Sequence, residues 1–119
     1  MNNNWKEELR RANVDVDGSI SRFSNKEERY IKYLKLFRKN TSFDDLLVAL
    51  ENGDCNAVFE NCHSLKGVIG NLGFRNMFPN IYDACEILRN GSMEGVLDLI
   101  SEITDNYKEI VGIIDKYLE

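Results

Sequence analysis

Proline, histidine and tryptophan each occur once in these 119 residues, and cysteine only three times. One proline and eight glycines leave few points at which a helix must stop. A single histidine and the lack of any C-x-x-C pair remove the ligand spacing that a zinc site needs. Cys55, Cys62 and Cys85 form an odd set. Cys55 and Cys62 fall seven apart on one expected helix, about 10 Å along its axis. A disulfide needs Cα atoms within roughly 7 Å, so three reduced, largely buried thiols are expected. Basic side chains are the minority, 15 against 20 acidic, for a net charge of −5. That surface repels phosphate, so neither nucleic acid nor a membrane is an expected partner. No apolar run approaches the ~20 residues of a bilayer span. The opening MNNNWKEELRRANVD has no apolar stretch of the signal-peptide kind. A soluble, cytoplasmic protein is expected.

What is present points to helices. The apolar content of 43% is too high for a disordered chain, and the length fits one domain over 1–119. Tyr30, Ile31, Leu34 and Phe37 recur at helical spacing, as do Leu46, Leu47 and Leu50. The stretch from Met93 to Leu118 keeps that period for seven turns, and no stretch alternates with period two for long. Asn52-Gly53-Asp54 reads as a helix stop followed by an aspartate cap, and Asn90-Gly91-Ser92 as the same device with Ser92 as cap. Gly73 can end a helix. Thr41-Ser42-Phe43-Asp44-Asp45 supplies a cap and first-turn acids, which predicts a kink or restart near 41. Pro79 costs ~3 kcal/mol inside a helix but little in its first turn, so a helix is expected to start or bend there. The expected elements are short helices near 4–12 and 17–23, then helices over 26–51, 54–72, 75–90 and 93–118. Short connections make sequential neighbours antiparallel. The fold class is all-α, an up-down-up-down four-helix bundle with one or two short N-terminal helices, and Trp5 and Leu9 are candidates to cap one end.

The informative stretch is Asn61 to Gly73, NCHSLKGVIGNLG. On a helical wheel Val58, Cys62, Leu65, Ile69 and Leu72 gather within about 80° as a core stripe. His63, Lys66, Gly67 and Gly70 form a second line about 120° away, at i, i+3, i+4 and i+7. Two glycines inside a helix each cost ~1 kcal/mol relative to alanine. Together they give a bare groove beside an exposed imidazole, open to another protein's backbone. A neutral imidazole nitrogen is a nucleophile that can form a phosphoramidate. The Lys66 ammonium, one turn away, would balance a phosphoryl group there. Each residue alone has an ordinary reading: a surface histidine, a solvated lysine, a small-residue packing seam. Their shared face is what carries the functional one.

His63 to Gly73 resembles the motif of histidine-containing phosphotransfer (HPt) domains, H-x-L-K-G-x-x-x-x-L-G. The likeness covers most of the chain. DVDGSISRF (15–23) is similar to the segment leading into the family's bundle. YIKYLKLF (30–37) with LLVALENGD (46–54) is similar to its long helix and following turn. The resemblance implies a phosphorelay intermediate with no kinase activity of its own. In it, His63 takes a phosphoryl group on its distal nitrogen from one receiver-domain aspartate and passes it to another. It implies Lys66 near the phosphoryl group, Gly67 as the bare approach surface, and Gly70 and Gly73 as structural members of the motif. Response-regulator receivers and a hybrid sensor histidine kinase are the implied partners. No cofactor is implied in this chain, since the magnesium belongs to the receiver.

One departure stands out. Many members orient the imidazole with a glutamine or glutamate on the next helix. Aligned without gaps, that place holds Cys85, a poor acceptor, with Asp83 and Glu86 alongside; Glu86 is the weak candidate. For docking, Phe59 one turn before His63 is a candidate, with Ile20 and Phe23 if the N-terminal segment packs across the bundle and Gly70 on the bare line. Ordinary core is the plainer role for each aromatic. A phosphorylation-independent receiver-docking module is the alternative function. A kinase dimerisation region is the other, but it would need an acid and a proline after the histidine, where Ser64 stands. A monomer is the default expectation.

Overall fold

The computed structural model describes residues 4–119 and, among them, is all-helical. The elements are α1 Asn4–Arg11, α2 Val16–Arg22, α3 Glu27–Lys39, α4 Ser42–Asn52, α5 Cys55–Leu72, α6 Met77–Arg89 and α7 Val96–Tyr117. No strand forms among these residues; a lone antiparallel bridge joins Val14 to Phe74.

Most helix ends fall where local chemistry places them. Gly53 turns left-handed at φ +68°, and the Asp54 side chain then accepts from the Ala57 N–H at 3.1 Å, opening α5. Gly73 closes α5 at φ +80°. Pro79 lies in the first turn of α6, where its missing N–H breaks no helical bond and the helix need not bend. Two expectations are corrected. The helix expected over 26–51 is two helices, parted at the restart expected near 41, because Asn40 is extended (ψ 129°) and its side chain accepts from the Ser42 N–H at 2.7 Å. Thr41 makes no capping bond; its hydroxyl donates to Asp45 instead. Ser92 does not cap the last helix either. It accepts from the Glu94 N–H within a turn, and α7 begins only after the left-handed Gly95.

Helix α5 packs against both α4 and α6, α7 packs against α6, and α3 touches α5 and α7. The apolar stripes meet in one contiguous core. Trp5 and Leu9 are wholly buried in that core, with α1 laid against α7. The Tyr117 hydroxyl donates to Glu8 and Lys116 pairs with the same carboxylate, tying α7 to α1. Among the described residues no helix is long and apolar enough to cross a membrane. The cysteines are free: Cys62 and Cys85 are buried and Cys55 is half-buried.

The C-terminal end of α5 is also tied to the segment before α2, to α2 and to α3. Asp15 donates its N–H to the Gly73 carbonyl at 2.9 Å. The Tyr30 hydroxyl donates to the Leu72 carbonyl at 2.9 Å, and the Arg22 guanidinium reaches the Gly70 and Asn71 carbonyls at 3.3 Å. Carbonyls left open at a helix C-terminus are thus satisfied, one set by a cation suited to the helix dipole. These bonds fix the end of the helix that carries the only histidine.

Candidate functional site

His63 lies midway along α5 and is exposed, while its neighbours Cys62 and Leu65 are buried. The core stripe and the histidine line are therefore separate faces of one helix. The Phe59 ring, one turn earlier, stacks on the imidazole with centroids 5.8 Å apart and planes at 22°. Phe59 is half-buried and packed against the core, so a fixed wall supports one face of the histidine ring. None of the hydrogen bonds among the described residues reaches the imidazole.

Lys66 is half-buried, and its ammonium sits 5.5 Å from the centroid of the Tyr82 ring on α6. A cation over an aromatic face is held electrostatically. The long lysine stem lets the same ammonium turn toward an anion one helical turn away. Gly67 is exposed, and a Cβ built there would meet nothing within 4 Å. That opening borders a groove. Ser64, Gly67, Val68 and Asn71 form its α5 wall, with Phe23, Tyr33 and Leu36 opposite.

Three expectations about this site are corrected. Gly70 is not part of the bare line: a Cβ there would lie 3.1 Å from the Phe78 ring, which leans over it from α6. It serves helix packing. Glu86 makes no hydrogen bond with the imidazole. It pairs with Arg89 at 2.5 Å and, with Asp83, lines a groove facing α7. Cys85 is buried beside Cys62; burial pushes the Cys62 thiol up to about 12, and the neighbouring Cys85 adds to it. Burial also raises Cys85, against the pull of Lys66 and Arg89. Neither thiol is a ready nucleophile. Of the docking candidates, Phe23 lines the groove, whereas Ile20 is half-buried against the core and does not line it.

Sequence reasoning missed Tyr82, Phe78, Tyr33 and Leu36. Phe78 and Tyr82 stand four apart on α6, both exposed, with ring centroids 6.2 Å apart. An exposed aromatic pair at helical spacing was the available signal. No group of three or more metal-ligating side chains occurs among the described residues. Compared with protein-family models, curated proteins and solved structures, the chain finds no match.

Proposed function

We propose that this chain is a phosphorelay intermediate of the HPt type, a phosphocarrier rather than an autonomous kinase. The observation that supports it is one line on α5: the sole histidine, exposed, then Lys66, then a Gly67 with open space above it. In this reading the neutral imidazole attacks the phosphorus of a receiver's aspartyl phosphate through the distal nitrogen, Nε2. The bond between phosphorus and the aspartyl oxygen breaks, and the carboxylate leaves with the electron pair. Nδ1 keeps its proton, so the ring carries a positive charge beside the dianionic phosphoryl group. Onward transfer is the reverse, with a second receiver's carboxylate attacking and Nε2 leaving with its pair. Phe59 holds the ring plane, Lys66 leaves Tyr82 to balance the phosphoryl charge, and Gly67 admits the receiver's backbone. The receiver supplies the aspartate and magnesium. The helices α3 with α4, then α5, α6 and α7 would form the antiparallel up-down-up-down bundle, acting as a cytoplasmic monomer downstream of a hybrid sensor kinase.

The test loads a panel of receivers with a small phosphodonor, removes the donor, and mixes them with wild type and with His63→Gln. Acid-labile, base-stable label on wild type alone is the expected result. Tight binding to receivers with no label on either protein would replace this reading with the docking module.

A further inference from the structure

Most cations of this chain are engaged. Seven of the 15 basic side chains hold an acidic partner, Arg22 lies on carbonyls, and Lys66 rests over Tyr82. The six left without such a partner among the described residues are Lys26, Arg29, Lys32, Lys35, Lys39 and Lys108. Five of those six belong to α3 or its cap. Residues 22–39 hold seven basic and two acidic side chains, whereas the rest of the chain holds eight and 18. A strongly acidic protein thus concentrates free positive charge on one helix. Like charges three residues apart, such as Lys26, Arg29 and Lys32, repel along that helix, and Glu28 is the one acid that lines their groove with them.

The strip adjoins the histidine face. Helical spacing puts Lys26, Arg29, Tyr33 and Leu36 in one line. Tyr33 and Leu36 are 43% and 49% exposed, and Tyr33 stacks on Phe23 with centroids 5.2 Å apart. Those two rings wall the groove that reaches Ser64 and Gly67, and they also wall the one lined by Lys26, Arg29 and Lys32 with a single acid, Glu28. An apolar floor beside open Gly67 therefore passes into a bank of unpaired cations. A protein patch with apolar side chains at its centre and carboxylates at its rim complements that order. A long polyanion does not, because the remaining surface, with 18 acidic side chains, would repel it.

We infer that the α3 strip is the docking flank of the His63 site and selects a receiver domain with an acidic rim beside its phosphoaspartate. The inference rests on the phosphocarrier reading and adds the charge of the partner to it. Rim charges act on encounter more than on the bound complex. The test compares wild type with the triple variant Lys26→Glu/Arg29→Glu/Lys32→Glu, and with the neutral triple Lys26→Gln/Arg29→Gln/Lys32→Gln in case the first fails to fold. For a receiver that labels wild type, the second-order acceptance rate should fall by about tenfold or more in the charge-reversed variant at low salt. The rate at saturating receiver should not change. Wild type should slow as salt rises and the variants should not, and Lys108→Glu should behave as wild type. Equal rates and equal salt slopes overturn the inference while leaving the phosphocarrier reading intact. A folded triple variant that is slow even at saturation overturns it too, since the strip would then act after docking. Salt-sensitive binding of a DNA duplex more tightly than any receiver overturns it in favour of nucleic acid. If no receiver labels wild type, the phosphocarrier reading fails and this inference falls with it.

Discussion

Replacing Gly67 by alanine should make the protein more stable, and replacing it by a longer side chain should make it a worse carrier. Gly67 is an exposed interior residue of α5, and an added Cβ meets nothing within 4 Å. The full helix-propensity difference, ~1 kcal/mol in favour of alanine, should therefore be realised. For a chain of this size that raises the melting temperature by about 4 °C. The other glycines of the motif behave differently. At Gly70 the new methyl would press the Phe78 ring at 3.1 Å, so the gain shrinks or vanishes. At Gly73 it would sit 2.4 Å from the Ser19 hydroxyl and 2.7 Å from the Asp15 carbonyl, on a backbone at φ +80°. Left-handed geometry alone costs ~1–2 kcal/mol for an L-residue, so Gly73→Ala should lose at least that. Thermal melts followed by circular dichroism give the order Gly67→Ala above wild type, Gly70→Ala near it and Gly73→Ala well below. Gly67→Gln, also a better helix former than glycine, should melt at or above wild type yet accept phosphoryl from a receiver about tenfold more slowly or worse, because its side chain occupies the approach path. A destabilised Gly67→Ala would refute the open site. An unslowed Gly67→Gln would remove the reason for calling that site an approach surface.

Phe59→Leu should fold normally but transfer more slowly, with Phe59→Tyr close to wild type; equal rates in all three would mean that the 5.8 Å stack does not position the imidazole. Alkylation at mildly alkaline pH should modify Cys55 first and leave Cys62 and Cys85 until the protein unfolds, as mass spectrometry of partly labelled protein would show. Burial holds the Tyr30 phenol above its ordinary value of 10.0. Its stabilising contribution is therefore complete below that pH and is lost as pH rises beyond it. Urea midpoints should drop above about pH 10 more steeply for wild type than for Tyr30→Phe, in which the buried Tyr107 phenol and the paired Lys116 still contribute; Tyr30→Phe should already be less stable by ~1 kcal/mol at neutral pH through the unpaired Leu72 carbonyl. Asp54→Ala should cost about 1 kcal/mol in the same assay by removing the cap of α5.

Helix content and most boundaries could be read from the chain because their causes are local. Gly53, Asp54, Gly73 and Pro79 act within a turn of their own positions, and each does in the fold what its chemistry dictates. The separation of His63 from the core stripe was likewise a matter of spacing along one helix. Failures came where a choice between neighbours was needed. Asn40 and Thr41 both offer side chains near the break after α3, and periodicity does not say which one bonds. Ser92 and Gly95 compete for the start of α7, and the left-handed glycine decides it. Contacts between helices were out of reach altogether. A wheel places Gly67 and Gly70 on one line, but only packing puts Phe78 over one and nothing over the other. For the same reason Tyr82 beneath Lys66 and Cys85 beside Cys62 were invisible.

The measurement that bears most directly on the central claim is onward transfer. Wild-type protein labelled by one receiver is freed of donor and receiver, then mixed with a second, unlabelled receiver, and the label is followed. The account predicts that label leaves His63 and appears on the second receiver's aspartate in matching amounts, with little released as free phosphate. Label that stays on the chain, or leaves only as inorganic phosphate whichever receiver is added, would contradict a relay role for His63.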